Sequence, residues 1–205
     1  MRAYRAAIIA TILGLLAVAV LILAVECGDD DTPSNVPTIA ATAAPTDAPT
    51  IVPTPDVELA PYFQELDTIF QRASDDSVTA DAALQDALSN AQDIEAIKAA
   101  YTAFLTATKG VFETAIASMN GLQVPPVAQD DHNTFVAAAE SSKNLAAELR
   151  DGIAGVTTEA ELEALLEDFG TDKGPLLEEA DQACSQLQET ANTRGIDVDL
   201  ACTGG

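Results

Sequence analysis

Apolar residues follow three regimes along this chain. Residues 6–25, AAIIATILGLLAVAVLILAV, form one uncharged run, and residues 32–56 show no period. From Leu59 onward apolar positions recur every three or four residues, the spacing that places side chains on one face of an α-helix. In this last regime Leu59, Tyr62, Phe63, Leu66, Ile69 and Phe70 predict a helix over Ala60–Ala73, with Pro61 acceptable only in its first turn. Ser74-Asp75-Asp76-Ser77 reads as a break, and Thr79 as the cap of a second segment carrying Ala83, Leu84, Ala87 and Leu88. The longest stripe opens at Asp93, an N-cap residue type, and runs through Ile94, Ile97, Tyr101, Phe104, Leu105, Thr108, Phe112, Ile116 and Met119. Asn120-Gly121, residues that accept a left-handed backbone, ends it.

Pro125-Pro126 opens the next helix, because a proline in the first turn gives up no hydrogen bond that would have formed. Its inward face reads Val127, Phe135, Ala139, Ser142, Leu145, Leu149 and Ile153. Thr158 with Glu161 has the spacing of a capping box, followed by Leu162, Leu165, Leu166 and Phe169. Gly170, Gly174 and Pro175 interrupt that stripe before Leu177, Ala180, Cys184, Leu187 and Ala191 resume it, so either a kink or a short loop fits there. Gly195 stops the run, and Ile196, Val198 and Leu200 alternate with Asp197 and Asp199 as an extended tail would. Long helices with short connections predict an all-α fold, an antiparallel up-and-down bundle of about four helices. Three parts follow: a signal or anchor segment over 1–27, a Thr/Pro/Ala-rich linker over 28–56, and the bundle domain over 57–205.

The apolar run bears on placement. About 20 residues at roughly 1.5 Å each span about 30 Å, enough to cross a bilayer and longer than the h-region of a usual secretory signal. Arg2 and Arg5 precede it, and Glu26 and Asp29–Asp31 follow it, so the positive-inside rule sets everything after Glu26 outside the cytoplasm. Three readings stand: a lipoprotein signal, an uncleaved transmembrane anchor, or simple secretion. The stretch Ala24-Val25-Glu26-Cys27-Gly28-Asp29 resembles the end of a bacterial lipoprotein signal, in which the Cys receives the lipid. Glu26 stands where that family has a small residue. Behind it, Pro33, Pro37, Pro45, Pro49, Pro53 and Pro55 among Thr and Ala predict a semi-rigid, polyproline-like stalk without a core.

Cysteine parity adds to this. Thiols outside the cytoplasm tend to pair, and there are three. With Cys27 lipidated, Cys184 and Cys202 remain as a pair; otherwise Cys27 is a free thiol beside a membrane helix. An extended tail after Gly195 reaches roughly 23 Å, more than the ~16 Å back to Cys184. A Cys184–Cys202 disulfide is therefore expected.

Composition then removes function classes. Against 33 Asp plus Glu there are 9 Lys plus Arg, a formal charge of −24, which leaves no basic face for nucleic acid and keeps the domain off anionic lipid. The single histidine would have to serve any triad, and neither a Gly-x-Ser-x-Gly elbow nor a Gly-rich phosphate loop occurs. Asp168, Asp172 and Gly174 fall short of the EF-hand ligand pattern and read as a solvated acidic turn. Glu159, Glu161, Glu163 and Glu167 read as helix-start charges and an exposed face. Asp130-Asp131-His132 alone resembles chemistry, but neighbouring side chains on a helix diverge. His132 reads as a histidine at the border of the apolar face, hydrogen-bonded to a neighbouring helix.

The stretch Leu122–Val136, LQVPPVAQDDHNTFV, and the ending ACSQLQETANTRGIDVDLAC are similar to the Pro-Pro, His, Phe hinge and paired-Cys terminus of uncharacterised bacterial exported helical lipoproteins. That resemblance implies an envelope location and no particular activity. The expectation is a non-enzymatic, membrane-tethered bundle, without cofactor or metal, that meets a protein or envelope partner. A small-ligand or metal-binding receptor is the alternative, with Tyr101, His132 and Phe135 as the candidate ligand-binding residues.

Overall fold

The computed structural model describes residues 59–200 and Cys202. The apolar run over 6–25, Cys27 and the linker over 28–56 lie outside these residues. The described chain is helical: α1 Ala60–Asn90, α2 Ile94–Met119, a short 3-10 turn Pro126–Ala128, α3 Gln129–Ala154 and α4 Glu159–Thr193, followed by an extended tail. The all-α class and the number of helices agree with the sequence pattern.

α1 is one helix of 31 residues, not two segments. Its buried positions Leu59, Phe63, Leu66, Phe70, Ala73, Ser77, Ala80 and Leu84 step by four and three without interruption, the seam of a coiled-coil-like face. The tetrapeptide expected to break it therefore stays in phase. Ser77 is small enough to occupy an inward position, while Asp75 and Asp76 point to solvent. Thr79 does not cap anything, since its hydroxyl donates to the Asp75 carbonyl one turn back.

α2 begins as the sequence indicates, with the Asp93 carboxylate accepting from the Ala96 N–H at 2.9 Å. It ends at Asn120 in a right-handed conformation, and Gly121 N–H donates to the Ser118 carbonyl, so no left-handed residue is used. Pro126 opens a 3-10 turn rather than α3 itself. With three residues per turn, that turn gives the inward position to Ala128, which is fully buried, and rotates Val127 outward, leaving it 45% exposed instead of on the core face.

At the start of α4 the capping box closes: Glu161 N–H donates to Thr158 Oγ1 at 3.2 Å, and Thr158 N–H donates back to Glu161 Oε2 at 3.2 Å. The Thr157 N–H and hydroxyl also donate to that carboxylate and hold its pKa below the usual range. The helix continues through Gly170, Gly174 and Pro175 to Thr193, so the chain forms no loop there. Asp168 and Asp172 accordingly sit on the exposed side of a helix and not in a turn. The helix ends in a Schellman motif: Gly195 takes φ 68°, its N–H donates to Asn192, and Ile196 N–H donates to Ala191 at 3.0 Å.

The closest backbone approaches are between helices consecutive in sequence. Side-chain contacts give their directions. The start of α1 meets the start of α3 through Tyr62 and His132. The start of α3 meets the end of α4 through Asp131 and Thr190. The end of α3 meets the start of α4 where a Cβ on Gly152 would lie 3.3 Å from the Leu165 side chain. α3 and α4 thus run in opposite directions, and α1 and α3 in the same one.

The tail turns back along α4. Gln188 clamps it, donating to the Val198 carbonyl at 2.8 Å and accepting from the Leu200 N–H at 2.7 Å. Ile196 and Leu200 are buried, and a disulfide joins Cys184 to Cys202 with a Cα–Cα separation of 5.6 Å. Both the expected alternation and the expected bond are present.

Candidate functional site

Two large apolar clusters make up most of the core, with Leu145 in a small third one. The first unites the start of α1 (Leu59, Tyr62, Phe63, Leu66, Phe70), the end of α2 (Ile116, Met119), the start of α3 (Phe135, Ala139), the end of α4 (Ala180–Ala191) and the tail. The second unites the opposite ends: Ala80 and Leu84 of α1, Tyr101, Phe104 and Leu105 of α2, Leu149 and Ile153 of α3, and Leu162 and Leu166 of α4.

His132 lies at the first end, one turn into α3, and is 4% exposed. The reason for its burial is register: it follows Ala128 by four and precedes Phe135 by three, so the seam that buries those two buries the imidazole as well. Its Nδ1 lies 3.1 Å from the Tyr62 hydroxyl, with the rings edge to face at a centroid distance of 5.9 Å. Burial lowers the pKa of His132 and so favours the neutral ring. In the tautomer protonated at Nε2, Nδ1 accepts the phenolic proton. Burial, and secondarily the charge of Asp131, raises the pKa of Tyr62, so the phenol stays a donor. The adjacent Asp131 accepts from the Thr190 hydroxyl at 2.8 Å, tying α3 to α4. Phe135 packs on Phe70 at 5.1 Å between centroids.

Of the three candidate ligand residues, the structure places His132 and Phe135 at one end, each against an aromatic ring of α1. Tyr101 belongs to the other cluster, where burial pushes its hydroxyl up to about 12. The three are not assembled around one space. As arranged, the Tyr62–His132 hydrogen bond secures α1 to α3. Among the described residues no group of three His, Cys, Asp or Glu side chains is placed to hold a metal ion.

A second polar feature joins Thr108 and Ser142, which the stripes place inward, with Ser77, which the pattern sets in a break. Ser77, Thr108 and Ser142 are 4%, 4% and 5% exposed. Each stands on its helix between the residues of one apolar cluster and those of the other: Ser77 between Phe70 and Ala80, Thr108 between Leu105 and Ile116, Ser142 between Ala139 and Ala146. Three hydroxyls from three helices thus fall at the level between the two large clusters, a polar waist in the core. Within the described residues none of them makes a hydrogen bond, yet none is a fully sealed orphan, so each oxygen still borders space that water can enter. The signal for Ser77 is its step of four from Ala73 and three to Ala80, which keeps it on the inward seam.

Among the described residues no helix is long and apolar enough to cross a membrane. No known protein family, no curated protein and no solved structure matches the chain.

Proposed function

We propose that this is a non-enzymatic, membrane-tethered helical-bundle protein of the bacterial cell envelope, whose folded domain stands outside the cytoplasm and meets a protein or envelope partner. The observation that carries the reading is the Cys184–Cys202 disulfide. Such a bond persists in oxidising compartments. It also uses two of the three cysteines and leaves Cys27 beside the apolar run, where a lipid-bearing cysteine would stand. The charge of −24 fits a domain that stays soluble and off anionic headgroups while tethered near them. The lone histidine is engaged by Tyr62 in the core, which favours a structural part for it over a catalytic one.

The test is metabolic labelling with an alkyne fatty acid, followed by fractionation and thiol alkylation without reductant. Label that disappears in Cys27→Ala, together with blocked Cys184 and Cys202, supports the lipoprotein form. Unlabelled protein that stays in the membrane fraction supports the transmembrane form. Soluble cytoplasmic protein with all three thiols alkylated overturns the proposal. The receptor alternative requires a ligand that raises the melting temperature, since a molecule bound only by the folded state stabilises it. A non-covalent mass on protein extracted in mild detergent would move the assignment to that class.

A further inference from the structure

We propose that the middle of α4, from Gly170 to Leu176, is a hinged cover over the hydroxyl waist, and that it opens the waist to water while both ends of α4 remain docked. Three independent features of the fold meet at this level.

The first is the waist itself. Buried hydroxyls are ordinarily hydrogen-bonded, and where the protein supplies no partner, water does. Ser77, Thr108 and Ser142 have no partner among the described residues and border accessible space. The level between the two clusters thus holds three hydroxyls open to water beside the small Leu145 cluster.

The second is the packing of α4 opposite that layer. Its described side chains are fully buried at Leu162 and Leu166, and again from Ala180 onward, but at no position between. Phe169 and Leu176 are only partly buried; both rest on Leu145, a small cluster of its own, and Phe169 also touches the second main cluster. A Cβ added at Gly174 would meet nothing within 4 Å. The pair Lys173 Nζ and Glu148 Oε1 at 3.1 Å bridges this stretch to α3, with Lys173 half-buried and Glu148 exposed, and pairs this open to solvent hold little.

The third is the backbone. Pro175 has no N–H, so the Thr171 carbonyl loses its helical donor, and Gly170 and Gly174 add freedom on the same turn. Weak packing, a missing backbone bond and glycine coincide where the facing helices present hydroxyls. The flanks differ: the capping box and Leu162 fix one end, and the disulfide, Gln188 and Thr190 fix the other. Both flanks hold while the centre opens, the behaviour of a local low-stability unit within a more stable fold.

Hydrogen exchange on the full disulfide-bonded chain tests this. Amides over 170–179 are expected to exchange about tenfold faster than those over 160–166 and 183–191. Gly174→Ala, which the open space accommodates, is expected to slow that central exchange about fivefold and leave the flanks unchanged. The triple variant Ser77→Ala, Thr108→Val, Ser142→Ala, which dries the waist, is expected to slow it further. Uniform protection along α4 overturns the proposal, as does a fast centre that Gly174→Ala leaves unaltered. Should the triple variant fold and leave central exchange as fast as in the parent chain, the link between cover and waist is overturned.

Discussion

The two ends of the bundle are built by different means. The end containing His132 gathers four aromatic rings of α1 and α3 in contact pairs, a buried Tyr–His hydrogen bond, an Asp–Thr bond between helices, a disulfide and a tail clamped by Gln188. The opposite end has mostly alanine and leucine in its seam, with side-chain caps at Asp93 and Thr158 closing its helix starts. The difference follows from what each end must secure. At the capped end α1 to α2 and α3 to α4 are joined by short turns, so covalent continuity already holds the helices together. At the other end α1 and α4 arrive unconnected, and specific polar contacts, a cross-link and the tail supply what a turn would have.

Truncation at the centre of each cluster should have the largest effect. Phe63→Ala at the aromatic end and Leu105→Ala at the aliphatic end, both fully buried, are expected to cost about 3–5 and about 2–5 kcal/mol in urea unfolding. Because the two residues share no cluster, the double variant should be additive to within about 0.5 kcal/mol. Strong coupling would mean that the waist does not separate the ends. Next comes the disulfide, which closes a loop with a sequence separation of 18; reduction or Cys184→Ser should cost about 3 kcal/mol and expose Leu200 first. Equal loss of protection at both ends would break the comparison.

Thr158→Ala removes the cap at the aliphatic end and should cost about 1 kcal/mol in the same assay. Gly110→Ala, on α2 with nothing within 4 Å of the added carbon, should stabilise by roughly 0.5–1 kcal/mol through helix propensity alone. The finest probe is pH. The folded-state pKa of His132 is below its ordinary value of 6.5, so the unfolded chain binds the extra proton first as pH falls. The contribution from its burial is therefore intact above about pH 6.5 and is lost as pH drops from there toward the folded-state pKa. Urea midpoints between about pH 7 and about pH 5 should fall less steeply in His132→Gln than in the parent chain; equal slopes would place the imidazole in solvent.

Where the stripe was continuous and carried its own cap, as in α2, the sequence was read nearly to the residue. Ser74–Ser77 misled because polarity was weighed above phase: two outward aspartates look like a loop, although the inward step of four from Ala73 to Ser77 is unbroken. Val127 misled because a 3-10 turn changes the angle per residue and the pattern alone does not announce it. Pro175 left two alternatives, and the choice depended on tertiary anchoring of both flanks, which no local propensity encodes. At the candidate site, the position of His132 on the stripe border was legible from its spacing to Phe135. Its partner Tyr62 was not, since which residue faces it 70 positions away depends on the relative register of two helices.

The Schellman turn at Gly195 has a consequence for how the domain is displayed. By reversing the tail along α4 it brings Leu200 into the same cluster as Leu59, so the start of α1 and the end of the described tail lie at one pole. On the tethered reading proposed above, a linker entering at α1 would hold the domain by that pole. The opposite pole, with the turns after Asn90 and Ala154, stands a helix length away, roughly 39 Å for α2. On that reading it is the end presented away from the membrane.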